Sequence, residues 1–240
     1  MKRLSWLILV FALLSVVFFL GLIFFRSPFP PYPLLNYQDI FDLLTPLVLI
    51  PIYWVLYRRA ATNDSPTGET VFMLLAAFWV LGQGMHLAAN AINNLSESLA
   101  RQGTLDITGT QIYQLAYFLD EHLSHYLWHF GVIGLAVLLV WREWRNPEEH
   151  TANWWLLLPA GILYGFLWFA IFLEGQTAVM GFPFAFLFGA LLLILGRRRV
   201  CTHALTGFFF VASLVAILLL IVWVILCGFP PPQFSEVGLI

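Results

Sequence analysis

Residues 205–227 read LTGFFFVASLVAILLLIVWVILC and contain no charged side chain. A helix of about 20 apolar residues crosses the hydrocarbon core of a bilayer, so this stretch predicts a transmembrane helix. Six further apolar runs, each bounded by charges or prolines, predict six more spans. The predicted spans cover residues 4–25, 40–56, 71–92, 115–141, 154–173, 178–195 and 205–227.

The composition agrees with a chain whose solvent is lipid. Of 240 residues, 61% are hydrophobic and 10% are charged, and the mean hydropathy is +0.86. These values exclude a disordered chain, a nucleic-acid binder and a soluble enzyme. We therefore expect an all-α, polytopic integral membrane protein, residues 1–240 forming one transmembrane domain of about seven helices. Membrane lipids are its expected partners, and both a plasma membrane and an internal membrane fit.

The basic residues predict the orientation of the chain. Lys and Arg concentrate in cytoplasmic loops, and nine of the 11 fall on one side of a seven-span arrangement. Only Arg26 and Arg101 fall on the other side. We therefore expect a cytoplasmic N-terminus and an extracytoplasmic C-terminus. The nine residues are Lys2, Arg3, Arg58, Arg59, Arg142, Arg145, Arg197, Arg198 and Arg199.

Polar residues, whose burial in lipid costs free energy, are concentrated on two of the predicted spans. At 100° per residue, one face of the third span carries Gln83, His86, Asn90 and Asn93. On the fourth span, His122, His125 and His129 form one stripe, which Glu121 borders, whereas Asp120 is expected to point to nearly the opposite side. Depth counting brings His86 level with His125 and His129 in the outer half. Asp39 and Asp42 also fall on the outer side.

These residue types predict a metal centre. Imidazoles and carboxylates from successive helical turns suit a first-row transition metal such as zinc. We expect His86, His122, His125 and His129 as ligands, with Glu121 or Asp120 as the base that activates a metal-bound water. A second group of residues is expected to support the centre: Gln83, Asn90, Ser124 and Glu174. No residue is expected to bind an organic cofactor.

The function that this centre favours is a metal-dependent hydrolase or transferase acting on a lipid-like substrate. A seven-span bundle with His, Asp and Ser is distantly similar to the superfamily of alkaline ceramidases and of progestin and adiponectin receptors, whose zinc is held by histidines of early and late spans. Here the histidines concentrate on the third and fourth spans, and the seventh has no His-x-x-x-His pair. No residue role is therefore carried over from that superfamily.

Two alternatives remain open from the sequence. His86 and a histidine of the fourth span are suitable axial ligands for a haem. A non-enzymatic transporter, receptor or assembly factor would instead use the polar cluster for binding or for proton-linked gating. We also expect the proline-rich stretches 28–33 and 230–232 to be stiff loops on the outer side.

Overall fold

The computed structural model describes residues 2–25, 27–32, 34–61, 65–145 and 152–239. Arg26 and Pro33 lie outside the described residues. Eight α-helices are present in the described ranges: α1 (Lys2–Leu20), α2 (Tyr37–Ala60), α3 (Pro66–Arg101), α4 (Gln111–Tyr117), α5 (His125–Trp144), α6 (Trp154–Glu174), α7 (Ala178–Thr202) and α8 (Ala204–Cys227). A π-helical segment, Phe118–Ser124, joins α4 to α5.

Seven helices in the described residues are long and apolar enough to cross a membrane, with α4, the π-helical segment and α5 acting as one. The all-helical, seven-span prediction is confirmed to this extent, and the chain is a multi-pass integral membrane protein. Several helices extend beyond the predicted spans. The longest, α3, has 36 residues, which at 1.5 Å per residue is about 54 Å, against about 30 Å of hydrocarbon.

Close approach of α3 and α5 depends on two glycines. A Cβ at Gly82 of α3 would lie 2.5 Å from the backbone nitrogen of Trp128, and one at Gly131 of α5 would lie 2.6 Å from the carbonyl oxygen of Leu75. Each glycine thus lets the backbone of the other helix approach where a larger residue would separate them. This contact brings the polar residues of the two helices together.

Two further features hold the bundle around its aromatic core. Gly161 and Gly165 of α6 face Val211 and Ala212 of α8, so the Gly-x-x-x-Gly step serves helix packing. Between α2 and α6, the hydroxyls of Tyr53 and Tyr164 form a buried hydrogen bond of 2.5 Å. This bond satisfies two polar groups that would otherwise be costly in the bundle interior.

Adjacent charged residues at the end of α5 cap two other helices. Arg142 donates from Nε to the carbonyl oxygen of Tyr57 at the C-terminal end of α2. Glu143, which is fully buried, accepts from the backbone nitrogens of Leu205 and Thr206 in the first turn of α8. The cation thus meets the negative end of one helix dipole and the anion meets the positive end of another. The sequence had indicated Arg142 only as a topology signal.

Candidate functional site

His86 of α3 lies between two aspartates from different elements. Its Nδ1 is 2.7 Å from Oδ1 of Asp120 in the π-helical segment, and its Nε2 is 3.7 Å from Oδ2 of Asp42 in α2. Both aspartates are buried, whereas 16% of the His86 side chain is exposed. His86 is therefore a partly accessible group in contact with buried carboxylates.

Amide side chains hold the two carboxylates in place. Asn93 donates from Nδ2 to Oδ2 of Asp120 at 2.7 Å, and Gln83 donates from Nε2 to Oδ1 of Asp42 at 3.1 Å. The indole nitrogen of Trp79 in turn donates to Oε1 of Gln83 at 2.7 Å. Because buried charges need such partners, these bonds explain why polar residues recur on the inner face of α3.

The π-helical segment changes which side chains face the bundle interior. The expectation that Asp120 points away from the histidines is wrong, since its carboxylate contacts His86 and Asn93. That expectation assumed an α-helical rotation of 100° per residue. The i→i+5 hydrogen bonds of a π-helix put more residues in each turn, so the side chains point in other directions than in an α-helix. Ser124 of this segment donates to the carbonyl oxygen of Asp120 and so belongs to the local backbone bonding.

His125 and His129 extend the cluster along α5. The ring of His125 lies 4.8 Å from that of His86 and 5.9 Å from that of His129, between ring centroids. Nδ1 of His125 bonds the carbonyl oxygen of Glu121, so this nitrogen carries the proton. Nδ1 of His129 forms a 2.5 Å hydrogen bond with the hydroxyl of Thr177, in the turn between α6 and α7. In both rings, the partner at Nδ1 fixes the orientation of Nε2.

Apart from Nδ1 of His86 and Oδ1 of Asp120, which lie 2.7 Å from each other, three buried polar atoms of this region have no hydrogen-bond partner within the described part of the chain. They are Oδ1 of Asn93, Nε1 of Trp128 and Nε2 of His129. The indole of Trp128 packs against the rings of all three clustered histidines, at centroid distances of 4.5 to 6.1 Å. Buried polar atoms are nearly always paired in proteins, so unpaired ones in one cluster indicate a polar ligand or ordered water.

The remaining candidate residues lie outside this centre. The ring of His122 packs against Tyr117 and Phe118. Glu121 is partly buried, and its Oε2 accepts from Nε2 of Gln176 at 3.1 Å. Glu174 accepts from the backbone nitrogen of Phe234 and so anchors the segment after α8.

Asn90 faces another part of the molecule. Its Oδ1 accepts from Nδ2 of Asn94 at 3.0 Å, one helical turn further along α3. Both amides line a surface groove, and Asn90 is half-buried, whereas Asn93 is in the cluster. The predicted polar face of α3 therefore divides into an interior set and a groove set.

Besides Asn93, which was noted only as part of the polar face of the third span, three contributors to the cluster were not among the predicted site residues. Asp42 interrupts an apolar run, which is a functional signal in a membrane span, but from the sequence only its position on the outer side was predicted. Trp128 and Thr177 gave no such signal, because a tryptophan and a threonine are common packing residues. Their role depends on the packing of α5 against α3 and the α6–α7 turn.

A metal centre needs three or four ligand atoms that converge on one point. Within the described residues, no group of three or more His, Cys, Asp or Glu side chains is arranged to hold a metal ion. In His125 and His129, Nδ1 already forms a hydrogen bond, so only Nε2 of each ring could bind a metal. The described side chains therefore do not form a complete ligand set, and the metal centre stays a prediction of the sequence.

No protein-family model matches the chain, and no curated protein and no solved structure is significantly similar to it. The fold and the cluster define a multi-pass integral membrane protein with a buried His–Asp centre. We refer below to the His–Asp centre as the group formed by Asp42, His86, Asp120, His125 and His129.

Proposed function

We propose that the protein is a membrane-embedded hydrolase or transferase acting on a lipid-like substrate in the extracytoplasmic half of the bilayer. The contact of His86 with Asp120, on a side chain that is 16% exposed, carries this proposal. A histidine oriented by a carboxylate is a common general base. The unpaired atoms of Asn93, Trp128 and His129 beside it support a polar ligand at this position.

The chemistry follows from the acceptor character of Asp120. A carboxylate accepts the Nδ1 proton of His86. Nε2, which lies 3.7 Å from Oδ2 of Asp42 and so forms no direct hydrogen bond with it, keeps its lone pair and takes a proton from water or an alcohol. That oxygen then bonds the carbonyl carbon of an ester or amide, the bond to the leaving group breaks, and His86 returns the proton to the leaving atom. The indole N–H of Trp128 is the proposed donor to the developing oxyanion.

The proposed orientation is a cytoplasmic N-terminus and an extracytoplasmic C-terminus. It is supported by the basic residues at the end of the bundle opposite the His–Asp centre, among them Arg58, Arg145 and Arg197. In this orientation the His–Asp centre lies near the outer headgroup region. Ester and amide bonds of bilayer lipids lie at that level.

The test is product formation from defined lipids by the purified protein in vesicles, followed by mass spectrometry. We expect hydrolysis or acyl transfer by the wild type and at least about a hundredfold slower turnover for His86→Gln, the scale of a lost general base. His203→Gln is the matched control, because His203 is also buried but lies at the junction of α7 and α8. Equal turnover in wild type and His86→Gln would refute the proposed role of His86.

A first-row transition metal, with zinc as the first choice, is the second candidate for the centre. It is favoured by the fixed rings of His125 and His129, because metal-binding histidines usually bond a second group through the other nitrogen. Elemental analysis of the wild type and of His129→Ala tests it. Near-stoichiometric metal lost in the variant would support the metal, and an absorption band typical of haem would favour haem instead. If neither metal, haem nor lipid product is found, a non-enzymatic binding role is favoured.

A further inference from the structure

A polar groove of about 630 Å³ lies about one helical turn from the His–Asp centre, since Asn90 follows His86 and Gln38 precedes Asp42 by four residues. One wall is the last three turns of α3, and the other is the start of α2 with the loop before it. The residues that line it are Leu34, Asn36, Gln38, Asn90, Asn94, Leu95, Ser98, Leu99, Arg101 and Gln102. We call it the amide groove, because amide side chains are its commonest polar group.

The amide groove is at the level of the lipid headgroups. The apolar part of α3 ends near Ile92, and the helix continues to Arg101. Asn94 and Ser98 follow Asn90 at intervals of four residues, so the three share one face of the helix. At a rise of 1.5 Å per residue, the face from Asn90 to Ser98 is about 12 Å long. It runs outward from the edge of the hydrocarbon.

Charge is almost absent from the lining. Of the described lining residues, only Arg101 is charged. Its guanidinium lies 3.5 Å from the carboxylate of Glu97. At the start of α2, Asp39 already accepts from the backbone nitrogen of Asn36. The groove therefore presents mainly neutral donors and acceptors, with one exposed cation that already lies beside a carboxylate and, in its described lining, no aromatic cage for an ammonium group.

We propose that the amide groove binds the neutral, hydroxyl-rich headgroup of a glycolipid. Amides and a serine both donate to and accept from hydroxyls, and Leu95 and Leu99 offer apolar surface to the C–H faces of a sugar ring. Asn90 follows His86 by one helical turn, about 6 Å along the axis. This inference rests on the proposed function: the groove is the headgroup subsite and His86 acts on the bond next to it.

The experiment uses the full chain in nanodiscs with equal amounts of monoglucosyl diacylglycerol, phosphatidylcholine and phosphatidylglycerol of identical acyl chains. Native mass spectrometry then counts the lipids that remain bound. We expect roughly tenfold retention of the glucolipid over phosphatidylcholine, about the effect of two hydrogen bonds. The double variant Asn94→Leu, Ser98→Leu should lose this preference. Thr70→Leu, at the other end of α3, is the control and should keep it.

The outcomes separate this inference from the proposed function. His86→Gln should retain the glucolipid as the wild type does, even where its turnover is lost. Preference for phosphatidylglycerol would overturn the inference in favour of an anion site, and equal retention of all three lipids would overturn it outright; neither affects the His86 turnover result. If the double variant fails to fold, Asn94→Ala alone replaces it, and unchanged retention in that variant also overturns the inference.

Discussion

Nδ1 of His86 lies 2.7 Å from Oδ1 of Asp120, across the contact between α3 and the π-helical segment. The second oxygen of Asp120 accepts from Asn93, so one buried carboxylate connects two residues of α3 to the segment preceding α5. A buried charge with polar partners is stable only while those partners remain. This relationship therefore joins the chemistry of the His–Asp centre to the stability of the bundle.

Removing the Asp120 carboxylate should destabilise the protein. Asp120→Ala leaves Asn93 without an acceptor and His86 without its nearest carboxylate, for which we expect a loss of about 3–5 kcal/mol in the free energy of unfolding. Denaturant titration in mixed micelles measures it. Asp106→Ala is the control, since Asp106 is exposed between α3 and α4, and surface changes usually stay within about 0.5 kcal/mol. Similar losses in both variants would contradict the account.

The α3–α5 contact can be tested with two glycines of one helix. Gly82→Ala introduces a Cβ 2.5 Å from the backbone nitrogen of Trp128, whereas a Cβ at Gly84 meets nothing within 4 Å. We expect Gly82→Ala to cost about 1–3 kcal/mol through overpacking. Gly84→Ala should instead be neutral or stabilise the helix by up to about 1 kcal/mol. The midpoints of thermal unfolding of the two variants test this prediction. A midpoint of Gly82→Ala that is lowered no more than that of Gly84→Ala would be inconsistent with close α3–α5 packing.

Glu143 should contribute to stability as the cap of α8. Glu143→Gln removes the charge that accepts from Leu205 and Thr206, and hydrogen bonds to charged groups are worth about 1.5–3 kcal/mol. Glu69→Gln is the comparison, because Glu69 forms a surface ion pair with Arg58, and such pairs contribute about 0–1 kcal/mol. Chemical unfolding should rank Glu143→Gln as the more damaging change, and the reverse order would rule out the cap.

The Tyr53–Tyr164 hydrogen bond predicts a coupled pair. Each single change to Phe leaves one buried hydroxyl unpaired, at a cost of about 1–3 kcal/mol. The double variant removes both hydroxyls and should cost less than the sum of the single changes by about 0.5–1.5 kcal/mol. Additive effects in the double-mutant cycle would show that the two hydroxyls do not interact.

The two native cysteines test the proposed orientation. Cys201 and Cys227 are both free and exposed, near opposite ends of α8. With a cytoplasmic N-terminus, a membrane-impermeant maleimide added to intact cells should label Cys227 in the Cys201→Ser variant. In the Cys227→Ser variant, Cys201 should react only after permeabilisation. The opposite labelling pattern would show that the N-terminus is extracytoplasmic and would contradict the proposed orientation.

The apolar runs were sufficient to predict the seven spans, because burial in lipid requires long uninterrupted apolar helices. The predicted second span, 40–56, has two prolines near its centre, yet α2 continues through Pro46 and Pro51 to Ala60. Helix ends were less predictable. The helix α3 continues beyond Ile92 through several polar turns. An α-helix is stable in water as well as in lipid, so the end of the apolar run did not predict the end of the helix.

The residue types of the candidate site could be predicted from the sequence, but the directions in which all of its side chains point could not. His86, His125 and His129 were expected to meet, and the glycine contact of α3 with α5 brings their rings together. The rotation caused by the π-helical segment could not be inferred from periodicity, and it turns Asp120 inward. Thr177 lies 48 residues from His129 in sequence, so only the packed bundle relates them.

The most direct test of the central claim is leaflet-resolved turnover. Vesicles with uniformly oriented protein receive an isotopically labelled lipid in one leaflet only, and labelled product is followed by mass spectrometry. We expect product from the leaflet on the C-terminal side of the protein and loss of that product in His86→Gln. Product from the N-terminal side alone, or product that His86→Gln leaves unchanged, would contradict it.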